Sequence, residues 1–161
     1  MIHSIRLTAG TLTLGLLIPS ILSSQTQIPL SARAQPKSLA VAETQLLMEG
    51  IAHANFKGLE KMLRSKPEDA EAWTFARGQA LLVAETGNLL LLRPPKTQGQ
   101  DAWNKSAVEM REAATRLGRA ISERDLVSSR ARLIDVANTC NRCHVAFRVK
   151  TRLTPFAEES K

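Results

Sequence analysis

The amino-acid sequence predicts an all-α fold, a bundle of four helices in antiparallel up-down order. Between residues 36 and 156, four segments place apolar residues at steps of three and four, which is the period of an α-helix. Clusters of Pro, Gly and Ser separate these segments, and none of them alternates polar and apolar residues with the period of two that is typical of a strand. Amphipathic helices joined by short connections bury their apolar faces against one another.

The first predicted helix covers residues 36–64. Its apolar residues lie among Lys and Glu at helical spacing: Ala42, Leu46, Leu59, Met62 and Leu63. In the run Ser65-Lys66-Pro67-Glu68 that follows, the Ser65 hydroxyl is predicted to cap the second helix, with Glu68 three residues on as its partner. Pro67 suits the first turn of that helix, because a helix leaves the N–H groups of this turn without an internal acceptor.

The second and third predicted helices have the most regular apolar faces. The second ends near Leu92, before Arg93-Pro94-Pro95, and its face carries Trp73, Ala76, Ala80, Val83, Gly87 and Leu90. Gly87 lowers the helix propensity locally. The third begins at Asp101, which is predicted as its N-cap, and its face carries Trp103, Ala107, Met110, Ala114, Leu117 and Ile121.

The fourth predicted helix follows residues 122–125 and combines core-forming with reactive side chains. Its stripe carries Leu126, Leu133, Ala137, Cys140, His144 and Phe147. Because the stripe that packs the bundle also holds a thiol and an imidazole, we expect these groups to face the core. Helical bundles hold cofactors between facing helices in this way.

The chain has two cysteines, and both belong to the run Cys140-Asn141-Arg142-Cys143-His144. C-x-x-C-H is the spacing at which haem c is attached covalently. Thiols three residues apart project from about one helical turn, so each can add to one vinyl group of the same porphyrin, and the adjacent histidine can bind the iron. The sequence predicts one covalent haem c near the C-terminal helix, tethered by Cys140 and Cys143 and ligated by His144.

Other interpretations of the cysteine pair are weaker. A zinc site would combine Cys140, Cys143 and His144 with His53, but adjacent residues point in different directions from a helix and ligate one small ion poorly. A thioredoxin-like redox pair belongs beside a βαβ pattern, which this sequence lacks. A cysteine pair without a chemical role is the third interpretation.

Residues 1–34 have the composition of a secretory signal peptide. His3 and Arg6 form a short basic start, a mostly apolar stretch follows, and Ala32-Arg33-Ala34 offers a cleavage site. Export agrees with haem c, which is usually attached outside the cytoplasm, so we expect a periplasmic or otherwise exported bacterial protein. Only an uncleaved segment would anchor it to a membrane. Residues 35–161 are then long enough for a single domain.

The chain is basic, with 22 Lys and Arg against 15 Asp and Glu and a net charge of +7. The charges are spread along the chain, and no segment resembles a nucleic-acid-binding module. A solvated surface is the simplest interpretation of this distribution. The positive balance is also compatible with an acidic redox partner protein.

The run from Cys140 to Arg148, in which Val-Ala-Phe-Arg follows the motif, resembles the cytochrome c-prime family. That family has a secreted four-helix bundle of similar length, with C-x-x-C-H near the end of the fourth helix and often an aromatic-basic pair three residues later. The resemblance implies that Arg148 lies near His144, where its charge could meet a haem propionate. A surface arginine at a helix C-terminus is the other interpretation of this residue. Homodimers, which are frequent in the family, would form through the first two helices.

The resemblance also implies that a residue of the first helix lies opposite the histidine. An aliphatic residue there leaves the iron five-coordinate and open to nitric oxide or carbon monoxide, whereas a methionine closes the site and favours electron transfer. Met48 is the candidate ligand, with core filling as its other interpretation. Leu47 and Ile51, one turn apart, would instead wall an open pocket. His53 is disfavoured, because it lies five residues from Met48 and the two are not expected to share a helical stripe.

We therefore expect an exported monohaem electron carrier, with binding of a small diatomic gas at open iron as the alternative. Electron transfer requires no acid–base pair, since the protein sets the potential through ligation, burial and hydrogen bonds. An enzyme is not expected. Peroxide cleavage, for example, needs a distal acid–base group, and the first helix offers only His53.

Overall fold

Four helices make up the described part of the chain, which in this computed structural model comprises residues 38–96 and 98–157. Helix α1 is continuous from an α-helical turn at Thr44–Leu47 through a π-helical segment at Met48–His53 to an α-helical part at Ala54–Arg64. Helices α2, α3 and α4 cover Ala70–Leu91, Gln100–Ser122 and Leu126–Ala146. No strand occurs among the described residues, so the predicted all-α class is confirmed.

The signal peptide predicted for residues 1–34 lies outside the described residues, and the domain division at residue 35 stays a prediction. Within residues 38–96 and 98–157, no helix is both long enough and apolar enough to cross a lipid bilayer.

Helix α1 differs most from its prediction. Leu46, expected to face the core, is 59% exposed, whereas its neighbour Leu47 is buried. The π-helical turns at Met48–His53 contain more residues than α-helical turns, so the residues before them are rotated relative to the stripe that follows. That stripe keeps its predicted orientation, and both Leu59 and Leu63 are fully buried.

Helix α2 begins after Asp69 and not after Ser65. The Asp69 carboxylate accepts a hydrogen bond from the Ala72 N–H at 2.8 Å and serves as the N-cap. Ser65 has an extended backbone and ends α1, and Pro67 is buried in the connection between the two helices. The predicted cap is wrong because Asp69 offers an equally good acceptor four residues further on, and the local sequence does not rank the two.

Helices α3 and α4 begin at or near their predicted starts. Gly99, with a φ of 85°, precedes α3, so Asp101 lies in the first turn and is not the N-cap. Its negative charge is favourable there, because a helix N-terminus carries a partial positive charge. Helix α4 follows Asp125 as expected, and the Asp125 carboxylate accepts a hydrogen bond from the Ser128 N–H at 3.0 Å.

Helices α2, α3 and α4 bury most of their predicted apolar stripes against their neighbours, as does the part of α1 that carries Leu59 and Leu63. Helix α2 packs along α3, α3 packs along α4, and α1 contacts α2 and, less extensively, α4. A Cβ atom at Gly87 would lie 2.7 Å from the Ala107 carbonyl oxygen and 2.9 Å from the Arg111 nitrogen. Glycine at this position therefore allows α2 to approach the backbone of α3.

Helices α3 and α4 end in the same kind of turn, with an arginine in the left-handed conformation that glycine adopts most easily. Arg124 follows α3 with a φ of 55°, and Arg148 follows α4 with a φ of 57°. In each turn, the N–H of the next residue donates to the carbonyl five residues before it: Asp125 to Ala120 at 3.2 Å, and Val149 to His144 at 2.7 Å. These bonds satisfy carbonyls that the helix itself leaves free.

Candidate haem-binding site

A cavity of about 670 Å³ lies between the helices, and both cysteines of the motif line it. This volume is within the range of about 300–1,000 Å³ that is common for small-molecule sites. All four helices and the segment after α4 contribute to a mostly apolar wall: Thr44, Gln45, Met48, Glu49, Ala52, His53 and Phe56 from α1, Val83 and Leu90 from α2, Trp103, Ser106 and Met110 from α3, Thr139, Cys140, Cys143 and His144 from α4, and Phe147, Val149, Thr151 and Leu153 after it.

The two thiols occupy successive turns at the end of α4, and both are free. Cys140 is buried and Cys143 is half-buried. Burial, and to a lesser extent the proximity of Cys143, raises the pKa of the Cys140 thiol to about 12. Burial also raises the pKa of the Cys143 thiol, although a hydrogen bond with Ser106 opposes this. Thioredoxin-like chemistry relies on a cysteine with a lowered pKa, so these raised values oppose that interpretation.

The His144 side chain has one ring nitrogen engaged and one available. Its Nδ1 lies 2.9 Å from the carbonyl oxygen of Thr151. Because a carbonyl can only accept, Nδ1 is the donor in this contact, and in the neutral imidazole Nε2 then carries the lone pair that a metal ligand needs. Histidines that bind metals characteristically hold their second ring nitrogen in such a hydrogen bond.

The zinc alternative receives no support from the arrangement of these side chains. Among the described residues, no three or more His, Cys, Asp or Glu side chains form a group that could hold a metal ion. Cys140, Cys143, His144 and His53 all line the cavity but do not converge as one set of ligands.

The residues of α1 that line the cavity belong to the π-helical segment and its flanks. Met48 is half-buried and His53 is exposed, and both line the cavity. The prediction that these two residues do not share a face is wrong, because a π-helix bonds residues five apart and brings residues five apart onto neighbouring positions. Leu47 and Ile51, expected to wall an open pocket, are not part of its lining.

Aromatic side chains form the wall beside the motif. Phe147, predicted on the stripe of α4, packs edge-on against Trp103 with ring centroids 5.2 Å apart. The Trp103 Nε1–H donates to the Leu90 carbonyl oxygen at 2.8 Å, which fixes the indole. Arg148, in contrast, is exposed in the turn after α4 and is not part of the cavity lining.

Several residues of the site were not singled out from the sequence. Trp103 and Met110 were predicted as core residues only, and their inward spacing on α3 gave no reason to distinguish core from cavity. Thr151 and Leu153 lie in a segment without a periodic pattern, so nothing in the sequence indicated that it returns to the motif. Asn141 occupies a position that the C-x-x-C-H pattern leaves free.

No family model, curated protein or solved structure matches the chain. The assignment of the site therefore depends on the residues and geometry described above.

Proposed function

We propose that the protein is an exported monohaem c-type cytochrome that transfers electrons. The observation that carries this proposal is the cavity, whose wall includes Cys140, Cys143 and His144 of α4 together with Met48 of α1. Cys140, Cys143 and His144 are the side chains that covalent attachment and proximal ligation of one haem require, and Met48 is the candidate for the sixth ligand. The proposal includes an antiparallel up-down order of the four helices, with the haem held beside α4.

The residues of the site suit a haem in size, polarity and donor set. The mostly apolar wall suits the faces of a porphyrin, and the two neutral thiols are spaced for its vinyl groups. When bound, haem would supply a reversible one-electron couple. Cys140 and Cys143 tether it, His144 offers Nε2 to the metal, and Phe147 and Trp103 exclude water from one edge.

Met48 decides between the two functions that such a site supports. Its half-buried thioether lines the cavity and is the candidate sixth ligand, which favours an electron carrier. The excess of Lys and Arg over Asp and Glu suits an acidic redox partner protein. An iron without this ligand would bind nitric oxide or carbon monoxide. No acid–base residue is needed for either function.

The test is to produce the full-length chain in a bacterial host that carries the c-type maturation machinery. We expect coloured protein whose haem stays with the polypeptide in acidified acetone, and low-spin bands in the reduced and oxidised spectra. Haem in the variant with both Cys140→Ala and Cys143→Ala should be extracted. Colourless wild-type protein would contradict the proposal, and high-spin bands that shift with carbon monoxide would replace electron transfer with gas binding.

A further inference from the structure

The segment after α4 turns back over the end of that helix and is bonded to it. We call residues 151–157 the C-terminal strap. Its first bond is the one that the Thr151 carbonyl oxygen accepts from His144 Nδ1 at 2.9 Å. The strap therefore provides the only hydrogen bond of the His144 ring found among the described residues.

Asn141 binds the strap two residues further on. Its Oδ1 accepts from the Leu153 N–H at 2.9 Å, and its Nδ2 donates to the Leu153 carbonyl oxygen at 2.8 Å. One amide side chain thus satisfies both backbone groups of a single residue, which fixes the strap in direction as well as position. Asn141 is half-buried and lies on the same turn of α4 as His144.

The far end of the strap is held independently by α1. The buried Glu60 carboxylate accepts from the Phe156 N–H at 3.0 Å, and Arg64 donates to the Ala157 carbonyl oxygen at 3.1 Å. Two guanidinium groups lie over the Phe156 ring, with the Arg64 carbon 5.9 Å and the Arg130 carbon 6.0 Å from the ring centroid. Loss of the Asn141 amide would therefore release the Thr151 end of the strap and leave its other end attached.

We propose that Asn141 is a positioning residue for the iron ligand, acting through the C-terminal strap. By fixing Leu153, it holds the Thr151 carbonyl against His144 Nδ1, and this sets the tautomer and the ring orientation of the imidazole. A carbonyl acceptor at Nδ1 makes Nε2 a stronger electron donor, which favours the oxidised metal and lowers the reduction potential. This inference depends on the proposed function, because it assumes that His144 binds haem iron.

The experiment compares Asn141→Ala with Asn138→Ala in the full-length haem protein. Asn138 provides a matched control because it is an exposed asparagine on the same helix. Two quantities are measured: hydrogen exchange of the Leu153 amide in the reduced protein, and the midpoint potential. We expect Asn141→Ala to speed Leu153 exchange about tenfold, the effect of losing one good hydrogen bond, and to raise the potential. Asn138→Ala should change neither.

A result in which Asn141→Ala speeds Leu153 exchange while the potential stays at the wild-type value would overturn the inference, because the strap would then not act on the ligand. Unchanged exchange would overturn it as well. If the alanine variant does not fold, Asn141→Gln serves instead. Its amide is displaced by one methylene, and it should shift both quantities in the same direction but less. Wild-type protein without covalent haem would instead contradict the proposed function, so the two failures are distinguishable.

Discussion

Met48 and His53 lie five residues apart on α1 and both line the cavity, because the helix between them has π-helical hydrogen bonding. An α-helix would have placed them on different faces. Single π-helical turns are rare and often lie at functional sites, where the wider turn changes which side chains face a ligand. In this protein, the segment contributes Met48, Glu49, Ala52 and His53 to the cavity wall.

The first prediction concerns Met48 as an iron ligand. Replacement of Met48 by Ala removes the thioether, so we expect the low-spin bands to be replaced by high-spin bands, the midpoint potential to fall and carbon monoxide to bind. Absorption spectra of the ferric and ferrous protein provide the measurement. His53→Ala is the control and should leave the bands unchanged. A Met48→Ala spectrum identical to that of the wild type would exclude ligation by this residue.

The second prediction uses two glycines of α2. A Cβ at Gly87 would lie 2.7 Å from a backbone oxygen of α3, whereas a Cβ at Gly78 would have no heavy atom within 4 Å. We expect Gly87→Ala to reduce the free energy of unfolding by about 1–3 kcal/mol through overpacking. The matched Gly78→Ala variant should increase it by about 1 kcal/mol, because alanine has the higher helix propensity. Chemical denaturation measures both, and equal effects would contradict the close approach of the helices.

The third prediction is a pH dependence that originates at Glu60. Burial raises the pKa of this carboxyl group, but hydrogen bonds from Lys57, the Phe156 N–H and Arg64 outweigh burial, and the net pKa lies below its ordinary value of 4.5. A pKa lowered by folding contributes stability that is present above the ordinary pKa and is lost as the pH falls through the lowered one. The wild-type protein should therefore lose stability progressively below about pH 4.5.

Glu60→Gln tests this dependence. The variant should be about 1–3 kcal/mol less stable than the wild type at pH 7, and the difference should shrink as the pH falls below 4.5. Denaturation curves at several pH values provide the measurement. Glu112→Gln is the control, because the Glu112 side chain is 57% exposed and its ion pair with Arg116 is long, at 4.0 Å. A stability difference independent of pH would show that the charge of Glu60 contributes nothing.

The fourth prediction concerns the arginines that follow α3 and α4. Because Arg124 and Arg148 both have positive φ, their replacement by Gly should each increase the free energy of unfolding by about 1 kcal/mol. Arg119→Gly, inside α3, should decrease it by about the same amount. Comparison of Arg148→Gly with Arg124→Gly also tests the role of Arg148, because the two turns have the same backbone conformation. A change of midpoint potential in Arg148→Gly that Arg124→Gly does not share would indicate a guanidinium near the haem.

The sequence was sufficient to predict the inward faces of α2, α3 and α4, because the spacing of apolar residues along each helix determines which face is buried. It was insufficient at Leu46, where the π-helical segment rotates the stripe, since no residue type marks such a segment. The role of Gly87 depends on the close approach of α3, so the local sequence could indicate only a reduced helix propensity at this position. The strap was missed because its hydrogen bonds, Asn141 with Leu153 and Glu60 with Phe156, join residues that no local pattern in the sequence connects.

Cys140 is only 7% exposed in the folded protein. If the proposed haem is attached here, an enzyme that joins a vinyl group to this sulfur could not reach it once the helices have packed, so thioether formation would come before folding of the bundle. The exported polypeptide would then receive its haem while still unfolded, and the last helix would fold around the attached porphyrin. Under the proposed function, biogenesis would therefore follow a fixed order, in which translocation comes first, covalent attachment of haem second and folding of the helical bundle last.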